Sequence, residues 1–213
     1  MIGGMSDYLE NKLLDHSLGK ASFTMPTNYL ALFTAAPTDA GGGTEVTGGS
    51  YARQNATTAL GSAGAGSSTT GSQITFPDAT ADWGNVCAWA TFDALTTGNM
   101  LWWGWLGSGN EIPGTAANTG DVFTSYAHGL ANADRVVFQA PEGGTLPTGI
   151  SANTAYYVIS AATDTFQVSL TQGGAAVTLT SDGEFSAYKV QVKTIANGDG
   201  FKFNAGALTF RIN

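Results

Sequence analysis

The chain has 213 residues, of which 43% are hydrophobic, 11% are charged and 29 are glycines, and its net charge at pH 7 is −8. This apolar content can fill a core, so the composition excludes a disordered chain, while the many glycines and few charges favour a β-rich protein. No Lys or Arg lies between Arg53 and Arg135, and the acidic balance therefore excludes nucleic acid and anionic membranes as expected partners.

The cysteine count and the hydropathy pattern indicate where in a cell the protein is made. The single cysteine, Cys87, excludes an intrachain disulfide framework. No apolar run approaches the ~18 residues that cross a bilayer, and no N-terminal apolar stretch precedes a small-residue cleavage site. We therefore expect a protein that is made in a cytoplasm and does not insert into a membrane.

Residues 6–19 predict one short N-terminal helix. Ser6 is a favourable N-cap, Asp7 and Glu10 lie in the first turn, and Gly19 follows the last turn. The leucines of this segment form an apolar stripe at helical spacing: Leu9, Leu13, Leu14 and Leu18.

The rest of the chain predicts short strands separated by turns, with GSAGAGSSTTGS as a flexible surface loop. Strands of this length and spacing are typical of sandwiches and barrels. The expected fold class is mainly β, with a β-sandwich core domain. The predicted strands are NYLALFTAAP, SYARQNATTAL, VCAWATFDAL, NMLWWGWLG, RVVFQA, AYYVISA, TFQVSL, AAVTLTS, YKVQVKTI and LTFRIN.

The segment NMLWWGWLG is apolar on both faces of its predicted strand. One face has Met100, Trp102, Gly104 and Leu106, and the other has Leu101, Trp103 and Trp105. A strand of this kind is covered on both sides, here by the N-terminal helix or by another subunit. Sugar stacking is the alternative, but the rings lack polar neighbours, which favours a core or a subunit interface. The predicted core or interface residues are Trp83, Trp89, Phe92, Leu101, Trp102, Trp103 and Trp105.

A change of composition near Gly107 predicts a domain boundary. Residues 108–187 carry strands and turns of their own, and the chain then returns to the composition of its first half. We expect a discontinuous β-sandwich domain, formed by residues 1–107 and 188–213, that is interrupted by a small all-β inserted domain at residues 108–187.

Catalytic groups do not form a recognisable pattern. His16 and His128 have no partners at the spacing of a metal site or triad, which favours a solvated helix histidine and a turn histidine. Cys87 is predicted to be a buried apolar residue. Neither an enzyme nor a metal or other cofactor is expected. The carboxylates closest in sequence lie in turns, where capping is the expected role: Asp78, Asp82 and Asp93.

Two parts of the chain resemble phage proteins. MSDYLENKLLDHSLGKASFTMPTNYLALFTAAPTDAGGGTEVTGGSYAR, ITFPDATADWGNVCAWATFDALTTGNMLWWGWL and NGDGFKFNAGALTFRIN resemble small tail-fibre or tail-associated virion proteins of tailed bacteriophages, over residues 6–106 and 190–213. The segment FTSYAHGLANADRVVFQAPEGGTLPTGISANTAYYVISAATDTFQVSLTQGGAAVTLTSDG is similar to a β-module repeated in phage tail-fibre and tail-tip proteins. Ala133 stands where that module often has glycine.

The resemblance implies a structural virion protein of the tail fibre, tail or baseplate. It would assemble as a homotrimer or another symmetric homo-oligomer, together with other virion proteins. Two alternatives remain open: an adhesin module that binds a host receptor or glycan, and a decoration protein of the capsid or neck. The candidates for surface recognition are His128, Tyr156, Tyr157 and Phe166.

Overall fold

A computed structural model describes residues 3–107 and 109–212, and confirms a mainly β protein with one N-terminal helix in these ranges. No helix there is long and apolar enough to cross a membrane. The elements are α1 (Asp7–Ser17), β1 (Tyr29–Ala35), β2 (Thr44–Glu45), β3 (Gln54–Asn55), β4 (Ser67–Thr69), β5 (Ile74–Thr75), β6 (Gly84–Val86), β7 (Ala88–Phe92), β8 (Met100–Trp105), β9 (Glu111–Ala117), β10 (Val122–Thr124), β11 (Arg135–Gln139), β12 (Ala155–Ile159), β13 (Thr165–Ser169), β14 (Gly183–Val190), β15 (Lys193–Ile195), β16 (Lys202–Phe203) and β17 (Thr209–Arg211).

The chain forms two compact units. The barrel unit runs from Gly107 to Gln191, and the split unit joins the residues up to Leu106 with those from Val192 onward. The domain boundary expected between residues 187 and 188 falls inside β14. This strand continues because Tyr188 pairs with β9 and Val190 pairs with β11.

The split unit has a five-stranded antiparallel sheet in the order β2-β1-β7-β8, with β3 also paired to β1. Three two-stranded ribbons accompany the sheet: β6 with β15, β5 with β16, and β4 with β17. Each ribbon combines a strand that precedes the barrel unit in sequence with one that follows it. The C-terminal residues are therefore an integral part of this unit.

The core of the split unit lies between its sheet and its ribbons. Trp89 of the sheet packs edge-on against Phe210 of a ribbon, with ring centroids 5.3 Å apart, and Trp102 meets the same ring at 5.5 Å. This packing of two β layers agrees with the predicted sandwich. Other side chains of this core include Leu30, Leu32, Ile74, Phe76, Val86, Ile195, Phe203 and Leu208.

The barrel unit is a closed antiparallel barrel in the order β10-β13-β12-β11-β14-β9. Its interior is filled by the rings of Phe123, Phe138, Phe166 and Phe185, whose contacting centroids lie 5.0–6.0 Å apart. Gly114 is required here, because a Cβ at this position would lie 2.5 Å from the ring of Phe185.

The chain enters and leaves the barrel at the same end. There the Gly109 N–H donates to the Lys189 carbonyl at 3.0 Å, and Glu111 pairs with Tyr188. We call this the entry end; it also carries the connections over residues 125–134 and 160–164. The connections over residues 118–121, 140–154 and 170–182 close the far end.

Several predicted strand positions were wrong. In SYARQNATTAL only β3 is a strand, because the Tyr51 hydroxyl, rather than a continuing strand, accepts the Leu32 N–H on the open edge of β1. AAVTLTS forms part of the 170–182 connection. GSAGAGSSTTGS, expected to be a flexible loop, contains β4, whose partner β17 lies far along the chain.

Candidate functional site

The tryptophan segment lies inside the split unit. Trp103 and Trp105 are 3% and 4% exposed. The N-terminal segment borders their strand, because the Trp103 N–H donates to the Gly4 carbonyl at 3.1 Å and the Ser6 hydroxyl donates to the Met100 carbonyl. Sugar stacking needs exposed rings, so these rings form no such platform. Of the other predicted core or interface residues, Trp83, Trp89 and Leu101 are buried, and Phe92 and Trp102 are half-buried.

Two of the four recognition candidates lie in the barrel interior. Tyr156 and Phe166 are 2% and 1% exposed, because their positions on β12 and β13 alternate inward. They cannot contact a receptor at the surface of this fold, which corrects the expectation for these two residues. Tyr157 is half-buried on the outer face, with the Arg135 guanidinium 5.1 Å from its ring centroid.

His128 holds a loop at the entry end of the barrel. Its Nδ1 accepts the Leu130 N–H at 3.0 Å, and its Nε2 lies 3.3 Å from the Thr165 carbonyl oxygen. This pattern requires the neutral tautomer with the proton on Nε2, because Nδ1 is an acceptor and the carbonyl needs a donor. The ring also packs edge-on against Phe166, with centroids 5.0 Å apart.

Asp164 fixes the other side of this loop. Its backbone carbonyl accepts the Ser125 N–H at 2.9 Å, and its Oδ1 accepts the Ala127 N–H at 2.8 Å. Ser125 and Leu130 are buried at the two ends of the loop. Residues 125–130, which we call the Tyr126 loop, are thus tied to the barrel at several points.

The Tyr126 loop presents one aromatic ring to solvent. Tyr126 is 90% exposed, and the next residue, Ala127, has φ of 46°, a left-handed conformation that turns the chain sharply. An exposed tyrosine on a fixed loop can stack on a sugar ring or enter a pocket of a partner protein at low entropic cost. Sequence reasoning missed Tyr126, although a large aromatic among small residues in SYAHGL was the available signal.

The remaining titratable candidates have structural roles. Asp82 Oδ1 accepts the Asn197 N–H at 2.8 Å, and Asp93 Oδ1 accepts the Asn99 N–H at 2.7 Å. His16 Nδ1 accepts the Phe23 N–H at 3.2 Å, and Cys87 is buried. Over the described ranges, no group of three or more His, Cys, Asp or Glu residues is arranged to hold a metal ion.

One cleft of about 440 Å³ is lined by a charged network of the split unit. Arg53 binds both carboxylate oxygens of Glu45, with N···O distances of 2.9 and 2.7 Å. The Tyr51 hydroxyl donates to Glu45 Oε1 at 3.0 Å and accepts the Leu32 N–H at 2.9 Å. Burial raises the pKa of Tyr51 above its ordinary value. These groups satisfy one another and stabilise the edge of β1.

Comparison with known proteins identifies the family. No curated protein matches the chain. The family described as podophage GP4 fiber I protein gp80 matches residues 4–133, more than half of the chain. The match covers α1 and the sheet of the split unit and continues through β10 of the barrel. The chain therefore belongs to the podophage GP4 fiber I protein family, and is a structural protein of a bacteriophage tail fibre, with its place in the virion.

Proposed function

We propose that this chain is a non-enzymatic building block of the tail fibre that assembles as a symmetric homo-oligomer with other virion proteins and displays its barrel at the surface. The family match over residues 4–133 carries the proposal. The description of that family as a fibre protein supports a structural rather than a catalytic role.

The barrel is, on this proposal, an inserted module that can be exchanged between fibre proteins. Two observations support it. The chain enters and leaves the barrel side by side, at Gly109 and Lys189. The three ribbons of the split unit pair strands from before and after the barrel unit, so the split unit has β pairing of its own that does not involve the barrel.

Labelling of intact virions tests the location. Antibodies raised against the purified chain and coupled to gold should decorate the tail fibres, and an antibody against the major capsid protein serves as the positional control. Label confined to the capsid lattice or the neck would contradict the fibre assignment and would favour a decoration protein.

A second candidate function is host attachment, which the Tyr126 loop favours. The exposed ring on a loop held by Asp164 and His128 is suited to binding without reorganisation. Tyr126→Ala in the full chain should weaken binding to host cells by about tenfold or more, since exposed aromatic anchors dominate many interfaces. Leu170→Ala, at another exposed apolar side chain of the barrel unit, is the matched control.

Treatment of the host cells separates two classes of receptor. Periodate oxidation of cell-surface sugars should abolish binding if the ring stacks on a glycan, and protease treatment should abolish it if the receptor is a protein. Equal binding by wild type and Tyr126→Ala would contradict an attachment role for this loop.

A further inference from the structure

Helix α1 buries a side chain against its own chain only in its first half. Leu9 is the buried residue of the helix, and the Ser6 hydroxyl caps it by accepting the Leu9 N–H at 3.2 Å. Every residue from 14 to 22 is exposed. Because an isolated helix of 11 residues is marginal in water, the second half of α1 would gain stability from a contact outside its own chain.

One side of α1 is apolar and acidic. Leu14 and Leu18 are 57% and 61% exposed, and their spacing of four residues places them on the same side. Asp7 and Glu10 lie one to two turns earlier on this side. We call these four residues the donor face.

Another side of α1, about a third of a turn around the helix, borders an open cleft of about 380 Å³. Tyr8 and Lys12 form its helical wall, and we call it the acceptor cleft. The opposite wall is the segment that returns from the helix, including Phe23 and Met25, of which Met25 is 90% exposed.

Lys12 gives the acceptor cleft an available positive charge. Its Nζ lies 5.5 Å from the Tyr8 ring centroid, and neither of the two salt bridges of the described residues involves it. Asp93, which also lines the cleft, already accepts the backbone and side-chain N–H groups of Asn99 at 2.7 and 2.8 Å. The cleft thus places the Lys12 ammonium close to Phe23 and Met25, with the Asp93 carboxylate hydrogen-bonded to Asn99, whereas the donor face combines leucines with carboxylates.

We propose that the donor face of one copy of this chain docks in the acceptor cleft of a second copy. Leu14 and Leu18 pack against Phe23 and Met25 of the second copy, and Glu10 approaches its Lys12. The complementary charges select a second copy as the occupant in a chain whose net charge of −8 otherwise disfavours self-association. This inference rests on the proposed function and names the surface through which the fibre protein associates with itself.

The two surfaces also limit the symmetry. Because the donor face and the acceptor cleft are different sides of one helix, each copy can use both surfaces at once, and the contact is either reciprocated within a two-fold dimer or repeated head-to-tail. A repeated head-to-tail contact that closes gives a ring. The head-to-tail form therefore gives a ring of three or more copies, whereas the reciprocal form gives a dimer.

The oligomeric state of the full chain tests the contact. Wild type should be a closed oligomer by native mass spectrometry and light scattering, and Leu14→Lys with Leu18→Lys should be monomeric, with at least about a tenfold rise in the concentration needed for assembly. Leu170→Lys, at a similarly exposed leucine of the barrel unit, should assemble like wild type. Near-ultraviolet circular dichroism verifies that each variant is folded.

A mixing experiment tests whether the donor face of one copy meets the acceptor cleft of another. The double leucine variant lacks a donor face, and Lys12→Glu with Met25→Glu lacks an acceptor cleft, so each alone should be monomeric. Their equimolar mixture should form a heterodimer, in which the intact face meets the intact cleft. Glu10→Lys is a milder variant whose weakened assembly should be restored by a partner that carries Lys12→Glu.

Three results would overturn the inference: a monomeric wild type at about 100 µM, double leucine variants that still assemble, or a mixture without heterodimer. None of these results would change where gold-coupled antibodies bind on intact virions, so the fibre assignment is tested separately. Label on the capsid lattice with the mixing result intact would overturn the fibre assignment and leave the contact standing.

Discussion

The indole Nε1 of Trp103 donates a hydrogen bond of 2.8 Å to the carboxylate of Asp39. Trp103 lies on β8, whereas Asp39 lies in the connection from β1 to β2, and the Asp39 carbonyl also accepts the Asp7 N–H at 3.0 Å, at the start of α1. Asp39 therefore ties the tryptophan strand, a surface connection and the N-terminal helix together. The second face of β8 is covered, at least in part, by the chain itself.

Trp103→Ala should lower the free energy of unfolding by about 3–5 kcal/mol, because it removes a large buried ring and leaves a cavity. Asp39→Ala should cost about 1 kcal/mol by leaving the indole N–H without its acceptor, and Asp39→Asn, which keeps an acceptor oxygen, is the control. Urea unfolding followed by tryptophan fluorescence measures all three. A Trp103→Ala variant as stable as wild type would contradict the buried position of the ring.

Gly104→Ala should destabilise the sheet by about 1–3 kcal/mol through overpacking. Trp89 lies across the ladder from Gly104, and a Cβ at residue 104 would lie 2.9 Å from its Cζ2 atom. Gly64→Ala, where a Cβ meets nothing within 4 Å and φ is not positive, should be nearly neutral. Thermal unfolding of the two variants gives the comparison, and equal midpoints would contradict the packing of Trp89 on Gly104.

Tyr51 should make the chain less stable at alkaline pH. Burial raises the pKa of its phenol, so between the unfolded value of about 10 and the higher folded value, the folded chain retains a proton that the unfolded chain has lost. The free energy of unfolding then falls as pH rises above about 10, by at most about 1.4 kcal/mol per pH unit, and is unaffected by this group below that.

Tyr51→Phe should remove that slope but be less stable at neutral pH, since the Leu32 N–H loses its acceptor and Glu45 loses a donor. Urea unfolding at about pH 9 and pH 11 measures both effects. Tyr126→Phe, at an exposed ring, controls for loss of a phenol. An unchanged slope in Tyr51→Phe would contradict the assignment.

Substitutions at two residues of the Tyr126 loop should differ sharply in their effect on the stability of the fold. Tyr126→Ala should change the free energy of unfolding by less than about 0.5 kcal/mol, because the ring is 90% exposed. His128→Ala should cost about 1–2 kcal/mol, because it leaves the Leu130 N–H unpaired. It should also speed hydrogen exchange at Leu130, which mass spectrometry can resolve. Protection at Leu130 that survives His128→Ala would contradict the role of the imidazole.

Local signals predicted the elements whose determinants are close in sequence. Ser6 and the acidic first turn place the start of α1 correctly, and the apolar run around Leu30 and Leu32 forms β1. The burial of Trp103 and Trp105 follows from a strand that is apolar on both faces. In each case a few adjacent residues contain the information.

Long-range pairing was beyond sequence reasoning. β4 looks like a Ser- and Gly-rich loop because nothing near it reveals its partner, with Phe210 opposite Ser68. β9 was missed because Pro113 interrupts it and Gly114 is dictated by the distant ring of Phe185. For the candidate site, His128 was found by its chemistry, whereas the exposure of Tyr126 depends on Asp164 across the barrel end.

Replacement of residues 108–191 by a short glycine linker should leave a folded split unit. The segments that enter and leave the barrel run side by side, as the hydrogen bond between Gly109 and Lys189 shows. Removal of residues 192–213 instead should unfold the unit, because it takes Phe203 and Phe210 out of the core. Cooperative urea unfolding distinguishes the two. An insoluble or uncooperative first variant would contradict insertion of the barrel as a separate module.

The most direct measurement is a cryo-electron microscopy reconstruction of the virion at a resolution that separates strands. We expect density for the six-stranded barrel and the five-stranded sheet of this chain within the tail fibre. Density for both units on the capsid lattice or the neck, with none in the fibres, would contradict the account.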